Sequence, residues 1–221
     1  MMPLRVEAKL AGPICLPNGP IALDALLMYA VVLRDDIPPA ATAAECVPIE
    51  IPIEVRDGIH MASCGVFEVE TRETSFTNRR FPLAEAQEFA EPSFKRIQIT
   101  AGPAKSYRLP REHLYLVYDR ITWWAIGDEE GVRALLCEWI AYLGKRRAVG
   151  LGKVREWTIE PCESWGEVFP VIRDGKPLRT LPVASAWATR YACDVETAYA
   201  VPTPPYWDNS RRELCAVPSW R

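Results

Sequence analysis

Leu4 to Leu10 reads LRVEAKL, apolar and polar by turns, and a period of two marks a strand with one buried face. A loop containing proline and glycine, 12–19, ends it. The run IALDALLMYAVVL after Pro20 is apolar on nearly every face and predicts a helix buried on most sides. Pro20 suits its first position, where a missing N–H costs nothing, and Asp24 suits the positive end of its dipole. An alanine- and proline-rich connection, Pro38 to Pro52, follows. Glu50 to Val55 and His60 to Glu70 then predict two strands around a hairpin turn at Asp57-Gly58.

From Thr71 to Arg111 the pattern breaks into polar, arginine-containing loops, and Leu114 to Ile126 (LYLVYDRITWWAI) returns to a strand. Asp128, Glu129 and Glu130 make a capped, acidic first turn. Val132, Leu135, Leu136, Trp139, Ile140 and Leu143 recur at helical spacing behind it, and Gly144 predicts the stop. Lys153 to Ile159 predicts one more strand. In order, these elements make an α+β chain with a ferredoxin-like, RNA-recognition-type βαββαβ core over residues 1–160, interrupted by a long insertion at 71–113. Residues 161–221, with a hairpin signal at Asp174-Gly175, predict a β-rich C-terminal extension packing on that core.

Composition narrows the function. At 221 residues, 49% hydrophobic and 25% charged, the chain can bury a full core without disulfide or metal staples. A net charge of −3 excludes a free-standing, non-specific DNA coater, so any nucleic-acid contact must come from local clusters of cations. The seven cysteines are widely spaced with no CxxC pair, which implies neither zinc nor a disulfide framework and fits a reducing cytoplasm. Ile21 to Leu33 contains Asp24 and is too short to span a bilayer, so a membrane role is not implied. No cofactor or metal is implied either.

The chemistry concentrates in Gly144-Lys-Arg-Arg-Ala-Val-Gly-Leu-Gly-Lys153, four cations and three glycines within ten positions. Glycine lets backbone N–H groups come close to a ligand, and the cations suit phosphate oxygens. The Walker spacing and its Ser or Thr are missing, so this is not a P-loop. Composition alone leaves two readings, a phosphate clamp and a solvated basic turn. Trp123-Trp124 on the preceding strand should place one ring in the core and one outward, the latter under the C-terminal segment or against a base.

Val132 to Glu160, with its KRRAVGLGKVREW centre, resembles the helix and glycine-rich loop of the CRISPR RAMP superfamily. GPIALDALLMYAVVL resembles the first helix of its smaller members. In length and arrangement the chain looks like the Cas-five-type subunit of type IV CRISPR complexes. The resemblance implies ferredoxin-like domains and a structural subunit that caps the 5′ handle of the guide RNA (crRNA). Lys145, Arg146, Arg147, Gly150, Gly152 and Lys153 match the loop and inherit RNA binding from it. Implied partners are the crRNA, the backbone (Cas-seven-type) and large subunits, target DNA near its flanking motif, and a helicase.

The insertion carries a second basic group. Arg72, Arg79 and Arg80 surround Phe76, and Lys95, Arg96, Lys105, Arg108 and Arg111 follow among Phe81, Phe94 and Tyr107. That interleaving suits an arm that holds phosphates and stacks on bases, or a solvated loop with ordinary arginines. Some RAMP proteins cleave repeat RNA by acid–base chemistry with a histidine, tyrosine or lysine, and the two histidines of this chain are His60 and His113. Lone histidines at strand edges are usually structural, so the expectation is a non-enzyme, with a metal-independent endoribonuclease as the alternative. The remaining alternative is a ferredoxin-like protein- or ligand-binding domain without nucleic acid.

Overall fold

β1, Met2–Leu10, lies inside the main sheet, with both of its edges paired. On one side it runs antiparallel to β6, with Val6 opposite Trp123. On the other it runs antiparallel to the last strand of the sheet, with Val6 opposite Ile159. The computed structural model describes residues 1–16, 21–38, 48–79, 100, 106–191 and 195–218. In chain order after β1 come β2 (Ile14–Cys15), α1 (Leu23–Arg34), β3 (Val55–Arg56), β4 (Ile59–His60), β5 (Val66–Arg79), β6 (Tyr107–Gly127), α2 (Glu129–Trp139) and β7 (Val154–Pro161). Then follow β8 (Ile172–Arg173), β9 (Lys176–Pro177), β10 (Leu181–Pro182), α3 (Ala186–Tyr191), β11 (Thr197–Ala200) and β12 (Glu213–Ala216).

The protein is a mixed α and β chain with antiparallel sheets and few helices. β2, β1 and β5 all pair with β6, and β7 closes the other edge of β1. Ala62 bridges Ala125, whose opposite side is taken by Leu4, so the chain leading into β5 lies on the edge of β6 away from β1. Alternation along β1 sends Leu4, Val6 and Ala8 to one face, where all three are fully buried. Leu23, Leu27, Ala30 and Val31 of α1 and Val132, Leu135 and Leu136 of α2 share one core with them. Trp123 is its largest member; its Nε1 donates to Ile21 O at 2.8 Å, so the indole dipole is satisfied where the ring is buried. Fully burying aliphatic side chains of this kind contributes about 1.5–3 kcal/mol each.

Backbone contacts divide the chain into two units, Met1–Thr71 with Tyr115–Arg221, and Arg72–Leu114. The second holds residues 72–79 of β5 and 107–114 of β6. Within the first, a further cluster joins Ile59, Met61 and Ile126 to Phe169, Val171, Ile172, Leu181, Trp187 and Ala216. It carries a three-stranded sheet in the order β10-β12-β11 and the β8–β9 hairpin, whose Asp174 and Gly175 both have positive φ. Trp124 points outward from β6 and meets Trp165 edge-on at 5.6 Å, so its ring lies under the C-terminal segment. Arg173 stacks over both indoles.

Four expectations need correcting, the first being the loops from Thr71 to Arg111, since β5 runs on to Arg79 and β6 already begins at Tyr107. Glu50 to Val55 is not a strand except at Val55, because Pro52 has no N–H for a ladder and Ile53 N turns back to Ile51 O. The expected strand from His60 to Glu70 is two pieces, β4 and the start of β5. Asp57 and Gly58 do turn between β3 and β4 with φ of 51° and 75°, the left-handed pair a two-residue hairpin requires. α2 begins as expected, with Asp128 accepting from Gly131 N, but it ends at Trp139 rather than before Gly144. Ile140 leaves helical dihedrals and gives its carbonyl to Trp157 Nε1, and the next residues enter a ladder. Pro20 and most of the 38–52 connection lie outside the described residues.

Candidate nucleic-acid interface

The basic turn is a loop with laddered legs. Val154 N donates to Ala141 O at 2.9 Å and Leu143 N to Gly152 O at 2.8 Å, and Tyr142 bridges Lys153. The segment around β2 locks this base from a third side: Lys145 N donates to Cys15 O at 2.7 Å, and Gly152 N to Pro13 O at 2.9 Å. Backbone comes so close here that a side chain has no room. A Cβ on Gly152 would sit 1.9 Å from Leu143 O, and one on Gly144 2.3 Å from Cys15 O. Gly150 has open space around it and is needed only for its φ of 85°.

The glycines therefore shape the loop. Gly150 N donates to Arg147 O and Gly152 N to Pro13 O, so these two amides are engaged within the chain. Between the legs, Arg146 takes a left-handed φ of 60° and Arg147–Val149 forms one 3₁₀ turn. Residues 145–150 are all exposed as a result, with Val149 at 69%. Lys153 at the foot of the loop is exposed as well. Among the described residues no ion pair engages Lys145 or Lys153. Arg147 reaches α1, where its Nη1 donates to the Tyr29 hydroxyl at 3.0 Å and its guanidinium carbon lies 5.2 Å from the ring centroid.

The face of the main sheet away from the two helices is a poor rival. It presents Arg5, Glu7 and Lys9 of β1 beside Arg120 and Thr122 of β6 and Glu156 and Glu160 of β7. Glu7 is held by Arg120 at 2.7 Å, and Arg5 pairs with Glu160 at 3.3 Å. Two of the three cations on this surface are answered by its own carboxylates, which leaves little charge for phosphate.

Arg72 is exposed on β5 in the second unit. Arg79 ends β5 and His113 lies within β6, but their side chains are outside the described set. Arg80, Lys95 and Arg96 lie outside the described residues altogether. His60 is on β4, its side chain 16% exposed, with Nδ1 3.3 Å from Asp24 Oδ2 but not aligned for a hydrogen bond.

That carboxylate belongs to a buried network that the sequence does not announce. Asp24 is fully buried on α1 and takes a 2.7 Å hydrogen bond from the Tyr206 hydroxyl. Arg179 Nη2 lies 3.3 Å from the same oxygen, and this guanidinium also donates to Tyr206, to Pro202 O and to the carbonyls of His60 and Ala62. Burial alone would raise the Asp24 pKa; Arg179, with the hydrogen-bonding partners, more than offsets it and holds the carboxyl at about 2. Burial pushes the Tyr206 phenol well above its ordinary value and keeps it protonated. The arrangement fixes α1 to the segments around Arg179 and Tyr206, and its proton is not one that leaves at neutral pH. Among the described residues, no His, Cys, Asp and Glu side chains group as a metal site would, and no helix is long and apolar enough to cross a membrane.

Residues 69–218 match the model of a family described as CRISPR type IV associated protein Csf3. The matched span takes in α2, the basic loop, Arg179 and Tyr206, and it leaves out β1 and α1. The chain matches none of the curated proteins. It is thus a CRISPR-associated protein, a subunit of a type IV complex. It belongs to the Csf3 family, the Cas5-like subunit of those complexes.

Proposed function

We propose that this subunit holds the 5′ handle of the guide RNA, with the loop 144–153 as its phosphate contact. The observation that carries the reading is the exposed cation cluster of Lys145, Arg146, Arg147 and Lys153, mounted on legs that glycine and backbone hydrogen bonds make rigid. A rigid mount lowers the ordering cost of gripping a phosphate. The strand order β7-β1-β6-β5, with α1 and α2 on one face, supports a ferredoxin-like core of the RAMP kind. Mild acidity elsewhere fits a subunit whose RNA is shared with more basic neighbours, the backbone and large subunits, beside the target's flanking motif and a helicase.

The subunit works without catalysis in this reading. What favours that is His60, whose side chain is only 16% exposed, in a network whose phenol stays protonated. The test is RNA association of the full chain, co-expressed with a CRISPR array, against Lys145, Arg146, Arg147 and Lys153 replaced together by alanine. Each phosphate contact on a single strand contributes about −0.7 to the slope of log K against log salt, so the variant should flatten that slope by roughly 3. Equal binding and an equal slope would overturn the clamp. Metal-free cleavage of repeat RNA that disappears in His60→Ala or His113→Ala would overturn the non-catalytic reading.

A further inference from the structure

We propose that Tyr29 and Arg147 form a stacking platform for one unpaired base of the RNA, next to the phosphate-gripping loop. This rests on the loop being an RNA contact. Tyr29 comes from α1, a helix whose other large side chains mostly go into the core, yet its ring is 36% exposed. The loop reaches across to it: Arg147 Nη1 bonds its hydroxyl, and the guanidinium lies 5.2 Å from the ring centroid. One polar end of the tyrosine is thereby fixed, and the ring is held in place before any ligand arrives.

Fixing an exposed ring beside exposed cations is what a single-stranded nucleic acid uses. Aromatic faces accept any base, and neighbouring cations take the phosphates on either side. Arg147 makes one hydrogen bond to Tyr29 and has five N–H donors, so it can hold the ring and still face a phosphate. Arg146, in its left-handed conformation, sets the turn that sends Arg147 toward α1. The ligand class is an unpaired nucleotide within an RNA strand. A duplex keeps its bases stacked on each other and has no free face to offer.

The experiment compares wild type, Tyr29→Ala and Tyr29→Phe in binding single-stranded repeat RNA and a duplex of the same sequence across a salt series. Tyr29→Ala should weaken single-strand binding by roughly 5- to 150-fold, the range for losing one base–aromatic stack, with the salt slope unchanged. Tyr29→Phe keeps the ring and should stay within a few-fold of wild type, and duplex binding should not respond. An RNA made abasic at successive positions should weaken wild type at one position, where Tyr29→Ala shows no additional loss. Single-strand binding by Tyr29→Ala equal to wild type overturns the platform while leaving the phosphate clamp standing. A loss accompanied by a flatter salt slope, with no abasic position coupled to Tyr29, reduces Tyr29 to an anchor for Arg147 and also overturns it. A wild-type chain that shows no salt-dependent RNA binding removes both proposals together.

Discussion

Replacing Asp24 by asparagine isolates the buried charge. The amide keeps the shape and one acceptor for the Tyr206 hydroxyl, but it leaves Arg179, 2% exposed, without its counter-charge. Breaking one side of a buried pair costs about 3–5 kcal/mol. A second magnitude comes from protonation. The carboxyl is lowered from 3.8 to about 2, and at ~1.4 kcal/mol per pH unit this gives about 2–3 kcal/mol of linked stability. The folded pKa is the depressed one, so this contribution is complete above the unfolded value of 3.8 and fades as pH falls toward about 2. Urea unfolding at pH 7, 4, 3 and 2 should therefore show wild type well above Asp24→Asn at neutral pH, with the gap closing only below pH 4. A gap that is small at pH 7, or that persists undiminished at pH 2, refutes an ionised Asp24 stabilised by Arg179.

Two further outcomes test the packing around the loop and α1. Gly150→Ala and Gly152→Ala both impose a left-handed φ on alanine, at about 1–2 kcal/mol, but only Gly152→Ala drives a Cβ to within 1.9 Å of a carbonyl. Unfolding midpoints should show Gly152→Ala as clearly the worse of the two, and equal midpoints would mean the loop legs are not in contact. Burial pushes the Cys64 thiol up to about 12, while Cys137 is exposed on α2. Brief iodoacetamide treatment at pH 8, read by peptide mass spectrometry, should label Cys137 and spare Cys64 until the protein is unfolded. Equal labelling would mean that the packing around Cys64 is open.

The strand at Leu4–Leu10, the apolar helix after it, the Asp57-Gly58 turn and the Asp128 cap were all legible because each signal is local. Periodicity, a left-handed dipeptide or a capping side chain acts within one or two turns of chain. The end of α2 was not legible: Ile140 and Leu143 are apolar at helical spacing, but apolar positions also suit a short ladder, and the partner at 152–154 settles it. Tyr29 was hidden by its own helix, where apolar residues on every side give no outward direction. Arg179 and Tyr206 carried no local mark, since what gives them meaning is a carboxylate far back in the chain. The basic loop stood out from composition, but the sequence could not tell glycines that offer amides from glycines that make room for a carbonyl.

Asp24 and Arg179 are separated by 155 positions. At a synthesis rate of ~5–20 residues per second, about 8–30 s pass between the appearance of one and of the other. During that interval the first helix is an apolar rod with a carboxylate on its inner side and nothing to neutralise it. The strand it accompanies lacks β7 for most of the same time. The step that joins the earliest helix to the segment around Arg179 therefore comes late in synthesis. A chain truncated before Arg179 would lack the cation against which Asp24 is buried, and its first helix would leave that carboxylate to water.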